Sequence, residues 1–193
     1  MKLDIVKKAF DGKTVLSDLS LDFPEGRTTL LMAPSGWGKT TLLRIASGLD
    51  RDFEGKVETG GKNVILFQED RLVEGISALS NRLALGKGRE ECLESLFILG
   101  LEGQERKKVS ELSGGMKRRV AIARVLLMDG DRFFLDEPFT GLDEETKEAV
   151  ASVLKKKLKG KTVVVVSHSE EDGPLMGSDD IIYLGEKENG RKN

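Results

Sequence analysis

Three stretches and one histidine carry residue types that could do chemistry: Ala33-Pro34-Ser35-Gly36-Trp37-Gly38-Lys39-Thr40-Thr41, Ser113-Gly114-Gly115, Asp136-Glu137 and His168. The first is suited to holding phosphate. Gly36 and Gly38 let successive backbone N–H groups turn inward. A helix starting behind them adds unpaired N–H groups and the positive end of its dipole. Lys39 supplies a point charge for β- and γ-phosphates, and the Thr40 hydroxyl is placed to ligate Mg²⁺. The usual pattern for such a loop begins with Gly where this chain has Ala33, which is acceptable where φ stays negative. Asp136-Glu137 ends the apolar run Phe133-Phe134-Leu135. A strand end beside a phosphate loop is where a second Mg²⁺-organising carboxylate belongs. That assigns Asp136 to Mg²⁺ through water and Glu137 to an attacking water as general base.

These groups need elements to hold them. Thr28 to Met32 is β-branched and apolar, a buried strand leading into the phosphate loop, and Leu42 to Ser47 reads as helix closed by Gly48. Leu3 to Phe10 and Val15 to Phe23 read as strands joined by the Asp11-Gly12-Lys13 turn. Gly55 to Glu58 and Val64 to Phe67 read as short strands around the Gly60-Gly61 turn. From Ile76 to about Met128 the pattern is helical, with Leu93, Leu96, Phe97 and Leu101 in helical spacing and Val120, Ala123 and Leu127 sharing a face. Arg132 to Leu135 is a buried strand. Glu144 to Lys159 is an amphipathic helix with Thr146, Ala149, Val150, Val153, Leu154 and Leu158 inward and its lysines outward. Thr162 to Ser167 is a wholly apolar strand of the parallel-sheet kind, and Ile181 to Leu184 is the last. Glu186 onward reads as a frayed, charged tail. The expectation is one α/β domain over 1–193, with 1–67 and 129–185 forming a β-containing core and 68–128 a helical lobe.

Composition narrows the function. The 193 residues can bury one substantial core. A 33% charged fraction with a formal net charge of -2 gives no global electrostatic basis for binding nucleic acid or anionic membrane. Lys155-Lys156-Lys157 reads as a solvated helix face. One cysteine, Cys92, and one histidine exclude an internal disulfide and a Cys/His zinc site. Cys92, within a helical pattern, reads as a core thiol. No apolar run is long enough to span a bilayer, and Met1-Lys2-Leu3-Asp4 does not begin a signal peptide, so a cytoplasmic protein is expected.

Leu112-Ser113-Gly114-Gly115-Met116 precedes a helix upstream of Asp136-Glu137, and Gly141-Leu142-Asp143 follows. The ordered set Lys39, Gln68, Ser113-Gly114-Gly115, Asp136-Glu137, Asp143 and His168 resembles the ATP-binding-cassette ATPases over nearly the whole chain, Phe10 to His168. The Leu-Ser-Gly-Gly signature is the specific element. The resemblance implies a P-loop NTPase core with a mainly parallel sheet, an N-terminal antiparallel β portion and a small helical lobe. It implies that residues 33–41 bind ATP, with Thr40, Gln68 and Asp136 at Mg²⁺. Phe10 would stack on adenine, the alternative being a core residue at a strand end. Gln68 would sense Mg²⁺ and the γ-phosphate. His168, a residue type that is usually structural when alone, falls where the family has its γ-phosphate switch. Ser113, Gly114 and Gly115 would meet the γ-phosphate held by another subunit, and Asp143 would couple the two sites. Met116 replaces the family's usual Gln, losing a polar contact.

Since the family's signature does not reach its own phosphate loop, the resemblance implies a head-to-tail dimer sandwiching two ATP, closing on ATP and opening after hydrolysis. Membrane permease subunits would receive that motion on the inner face of the membrane, with a substrate-binding protein as a further partner. Phe67 to Leu72 looks like the ATPases of nitrate, sulfonate and taurine importers, although Val73-Glu74-Gly75 replaces their usual Leu-Pro-Trp-like continuation. Two alternatives stay open: a non-transport ATPase of the same family, of cell-division or regulatory type, and a P-loop phosphotransferase, which has no use for the signature.

Overall fold

The computed structural model describes residues 1–58, 60–178 and 180–185. Two sheets are formed. β1 (Lys2–Phe10), β2 (Lys13–Asp22) and β4 (Glu54–Val57) make an antiparallel sheet in the order β2-β1-β4. β3 (Thr28–Met32), β5 (Asn63–Leu66), β6 (Arg132–Asp136), β7 (Thr162–Ser167) and β8 (Asp180–Tyr183) make a second sheet in the order β5-β6-β7-β3-β8, every pair parallel. The first hairpin follows from its turn: Phe10 pairs Lys13, leaving Asp11 at φ 49 and Gly12 at φ 79. Two positive φ values give the turn whose twist matches the flanking strands.

Helices cover the parallel sheet because its strands are apolar on both sides. All of β7 is buried. On one face, α1 (Lys39–Ala46) sets Leu42, Leu43 and Ile45 with Phe134, Val164 and Val166. On the other, α4 (Gly114–Leu127) and α5 (Glu144–Lys157) pack Ile122, Val125, Val150 and Leu154 against Phe133, Leu135, Val163 and Val165. Each fully buried Phe of β6 stabilises by roughly 1.5–3 kcal/mol. A third cluster draws, among the described residues, only on those from Leu72 to Leu127. It is built by α2 (Ser80–Leu83), α3 (Arg89–Phe97), a 3₁₀ turn (Val109–Glu111) and one side of α4, with Cys92 buried in it.

The structure changes several expectations. β4 and β5 do not pair with each other: β4 joins β1, and β5 joins β6 in the other sheet. The 76–128 region is less helical than its periodicity implies, because 76–79, 84–88 and 98–108 run as turns and loops between short helices. Phe97 is 60% exposed on the outer side of α3. The inward face of α5 is Lys147, Val150, Ala151 and Leu154, with Ala149 outside, so one lysine lies within it. Lys155 to Lys157 are exposed in its last turn, where cations offset the helix dipole. A short helix, α6 (Asp172–Met176), falls in a stretch with no predicted element. The tail from Glu186 lies outside the described residues.

Candidate nucleotide site

β6, β7 and β3 are parallel neighbours, so their carboxyl ends open side by side. That edge is where α/β sheets bind ligands. It delivers Asp136-Glu137, Ser167-His168 and the 33–41 loop to one place. Phe10, Val15, Ser35, Gly36, Gly38, Lys39, Thr40, Thr41, Gln68, Glu137, Thr140 and His168 line one cleft of 540 Å³, a size that accepts a nucleotide-sized ligand.

The loop is shaped by its glycines. Gly36 has φ 77 and Gly38 φ 106, and a Cβ on Gly38 would come within 2.9 Å of the Val15 side chain. Ala33 is absent from the residues with positive φ, so a side chain there brings no strain. Ala33 is buried, and its carbonyl accepts a hydrogen bond from Lys39 Nζ at 3.0 Å. Trp37 is half-buried against the core rather than facing the cleft, and Pro34 is exposed on the loop's outside. Gly38 caps α1 without a side-chain hydrogen bond, and no acid lies in the first turn. The cleft therefore meets uncapped amides and a helix dipole.

The carboxylates differ from one another. Asp136 lies beneath the cleft, 2% exposed, and accepts the Thr40 Oγ1 hydrogen bond at 2.7 Å. Burial pushes its carboxyl up, against the opposing pull of that hydrogen bond. Thr40 and Asp136 bring a hydroxyl and a carboxylate together, hard oxygen donors of the kind Mg²⁺ takes, so the residues fit that ion. Glu137 faces the cleft. Its Oε1 is 3.5 Å from Lys39 Nζ and its Oε2 is 2.7 Å from His168 Nδ1. Its backbone sits at φ 49, a strained value for a residue other than glycine. The His168 side chain is 73% exposed, so it stands at the open rim of the cleft with one ring nitrogen on Glu137. Phe10 is at the other rim, 48% exposed, which rules out the core alternative. The Lys8 ammonium lies 4.5 Å from its ring centroid, held by Asp50, Asp52 and the Asp52 carbonyl.

Ser113, Gly114, Gly115 and Asp143 are not brought into this cleft. Ser113 caps α4, its Oγ accepting the Met116 N–H at 3.3 Å, and its outer side is exposed. Asp143 caps α5, accepting the Thr146 N–H and hydroxyl, each at 2.9 Å. The two turns touch: a Cβ on Gly115 would come within 3.0 Å of the Gly141 carbonyl. Met116 packs against the third cluster.

Sequence reasoning missed the charges underneath. Arg118 is buried below Glu137, and Lys147 pairs with Asp172 at 3.0 Å behind His168. Asp172 Oδ2 accepts the Ser167 hydroxyl at 2.6 Å, and Ser167 Oγ accepts the Ser169 N–H at 3.0 Å, bracketing His168. A signal was present in the sequence. Arg118 shares a helical stripe with Ala121, Ile122 and Val125, and Lys147 with Val150, Ala151 and Leu154, all buried.

Comparison with known proteins follows the same lines. The ABC transporter family model matches residues 16–140. The chain is 42% identical over 180 residues to the "Aliphatic sulfonates import ATP-binding protein SsuB 1" of Rhodococcus jostii, covering 89% of this chain and 73% of that protein. It is 34% identical over 207 residues to the "Spermidine/putrescine import ATP-binding protein PotA" of Mycoplasma capricolum, covering 96% of this chain and 59% of that one. The solved dimer of the ATP-binding cassette MJ0796, in a post-hydrolysis state bound to ADP and Pi, superposes with a TM-score of 0.82 at 31% identity, covering 95% of this chain and 93% of its own. With this cleft, this fold and a family match across well over half its length, the chain belongs to the ABC transporter family.

Proposed function

We propose that the chain is the ATP-hydrolysing subunit of an import system, working as a head-to-tail dimer that drives membrane permease subunits. The observation that carries this is a division of labour within one chain. Lys39, Thr40, Gln68, Glu137 and His168 face a common cleft, while Ser113 to Gly115 present an exposed helix N-terminus outside it. Such an arrangement needs a second copy, or a related subunit, to bring the signature to bound ATP. The import names of SsuB and PotA support the direction of transport. Within the single domain, 68–128 acts as the helical lobe and the remainder as the catalytic core.

Each residue's part follows from its place. Phe10 offers its exposed ring to the adenine. Residues 33–41 wrap the phosphates, with Lys39 as the cation among them. Mg²⁺, held through Thr40, Asp136 and Gln68, would neutralise charge on the β- and γ-phosphates. Glu137 takes the proton of the attacking water on its carboxylate. His168 donates Nδ1–H to Oε2, which fixes the direction of the other oxygen and leaves the ring at the γ-phosphate end. The Lys147–Asp172 pair, through Ser167, holds the His168 backbone still. Asp143 follows the Gly141-Leu142 turn that abuts Gly115, and from there it couples the two sites.

No helix among the described residues is long and apolar enough to cross a membrane. On the import reading, the chain sits at the cytoplasmic face through its permease, with a substrate-binding protein on the other side. The test is phosphate release from ATP by the purified chain, with and without Mg²⁺ and with permease co-expressed. Mg²⁺-dependent release that rises with permease is expected. Transfer of the γ-phosphate to a small acceptor instead of water would establish a phosphotransferase.

A further inference from the structure

Arg118 is 3% exposed and belongs to α4, yet it reaches the two segments that carry Gln68 and Glu137 into the nucleotide cleft. Nη1 donates to the Phe67 carbonyl (2.7 Å), the Gln68 carbonyl (3.2 Å) and Asp70 Oδ1 (3.1 Å). Nη2 donates to the carbonyls of Asp136 and Glu137, each at 2.7 Å, and Nε to that of Pro138 at 3.0 Å. One planar fork thus spans the backbone at Gln68 and three successive carbonyls around Glu137. We infer that Arg118 is a positioning residue for hydrolysis: its guanidinium fixes the Gln68 and Glu137 backbones relative to each other and ties both to the helix that begins with the signature. This rests on the ATPase reading above.

Two features carry the inference past ordinary core packing. First, an ion pair with Asp70 would satisfy the charge, but five of the six acceptors are main-chain oxygens at the site. Those around Glu137 clamp the residue with φ 49, so losing them lets the strained turn relax and swings the carboxylate away from His168 and Lys39. Second, α4 holds the same segment at two further points, Lys117 on Glu74 at 3.0 Å and Arg124 on the Arg71 carbonyl at 2.8 Å. A shift of Gln68 therefore moves α4 as a unit, and with it Ser113. Arg82 provides the contrast. It is fully buried in the same lobe and, among the described residues, its guanidinium bonds only Ser95, Ala78 and Val120, none of them in the cleft.

The experiment compares Arg118→Lys, Arg118→Gln and Arg82→Lys with wild type. ATPase rate, KM and melting temperature are measured, with nucleotide affinity read from Trp37, the chain's one tryptophan. Misplacement by about an ångström costs up to ~10²-fold in rate, so both Arg118 variants should lose about 10–10²-fold in kcat with KM and Kd within about threefold. Arg82→Lys should lower the melting temperature and leave kcat per folded molecule in place. Arg118 variants with near wild-type kcat, or with kcat and affinity falling only as the folded fraction falls, overturn the inference. If neither Arg118 variant folds, hydrogen exchange on wild type decides. Adenylyl imidodiphosphate should protect 67–70, 113–118 and 136–138 together, and independent protection of these segments overturns the brace. A wild type without ATPase activity counts against the ATPase reading, and the exchange result then still judges Arg118.

Discussion

The cleft at the sheet's carboxyl edge and the first turn of α4 both present amides to an anion, but they are finished differently. In the cleft, side chains from distant segments already answer one another: Thr40 with Asp136, Lys39 with Glu137, Glu137 with His168. At α4, Ser113 spends its hydroxyl oxygen on its own helix cap and, among the described residues, makes no hydrogen bond to a distant segment. The first region is organised by the chain's own side chains. The second is an exposed surface whose purpose depends on what docks there. Under the proposed dimer, the cleft supplies binding and proton transfer, and the α4 turn supplies completion.

The largest break in that contrast is expected at Glu137. Glu137→Gln keeps shape but cannot take a proton, so kcat should fall ~10²–10⁴-fold while ATP still binds. ATP-dependent dimers should accumulate on size-exclusion chromatography with Mg²⁺. Wild-type turnover would remove Glu137 from the mechanism.

The two regions should break separately. Lys39→Ala strips the cation from a partly desolvated phosphate site and should weaken ATP binding ~10²–10³-fold by calorimetry. Ser113→Arg should leave binding to the isolated chain intact and abolish hydrolysis. Mixing the two inactive variants pairs one intact cleft with one intact α4 turn, so part of the ATPase rate should return. Mixtures that form no heterodimer and no activity, where wild type shows both, would refute the shared site.

A smaller effect separates function from stability within the cleft. Burial raises the Asp136 carboxyl, so the fold is favoured with that group protonated. The stabilisation is full below the ordinary value of 3.8 and lost as pH rises through the folded value. At neutral pH, Asp136→Asn should therefore raise the melting temperature while ATPase activity is lost. A lower melting temperature would mean that the Thr40 and Arg118 contacts outweigh desolvation.

The smallest effect concerns the outward turns. The Thr146 N–H and then its hydroxyl hold the Asp143 carboxyl below its ordinary range. A depressed folded value stabilises above 3.8, and this is lost as pH falls through the folded value. Asp143→Asn keeps a cap acceptor, so it should change neutral-pH stability little and flatten the acid limb of a melting-temperature profile. An unchanged acid limb would show that the cap charge has no part in it.

Much of this is legible in the sequence because it is local. The phosphate loop needs glycines at fixed offsets followed by Lys and Thr, and backbone geometry alone enforces that spacing. Apolar strands that end in Asp136-Glu137 and Ser167-His168 read as parallel strands, and such strands bring their carboxyl ends to one edge. The place of Phe10 is not legible this way, since an aromatic at a strand end packs inward or lines a rim depending on what lies over it.

By itself, the sequence determined the order of these elements, the loop that meets phosphate and the candidates at each strand end, all short-range consequences of residue type and spacing. Only the tertiary structure decided that β4 leaves β5 for β1, that Glu137 adopts a left-handed backbone, and that His168 bonds it. It also decided which helix charges go inward. Arg118, Lys147 and Arg82 occupy apolar stripes where a cation would ordinarily face water. Arg82 finds no carboxylate within hydrogen-bonding reach among the described residues, and burial pushes its guanidinium down to about 10. Each is held by oxygens, several of them 13 to 51 residues away. A buried charge is stable only when such partners converge on it, and convergence is a property of the packed chain, set by how the helices and strand ends come together.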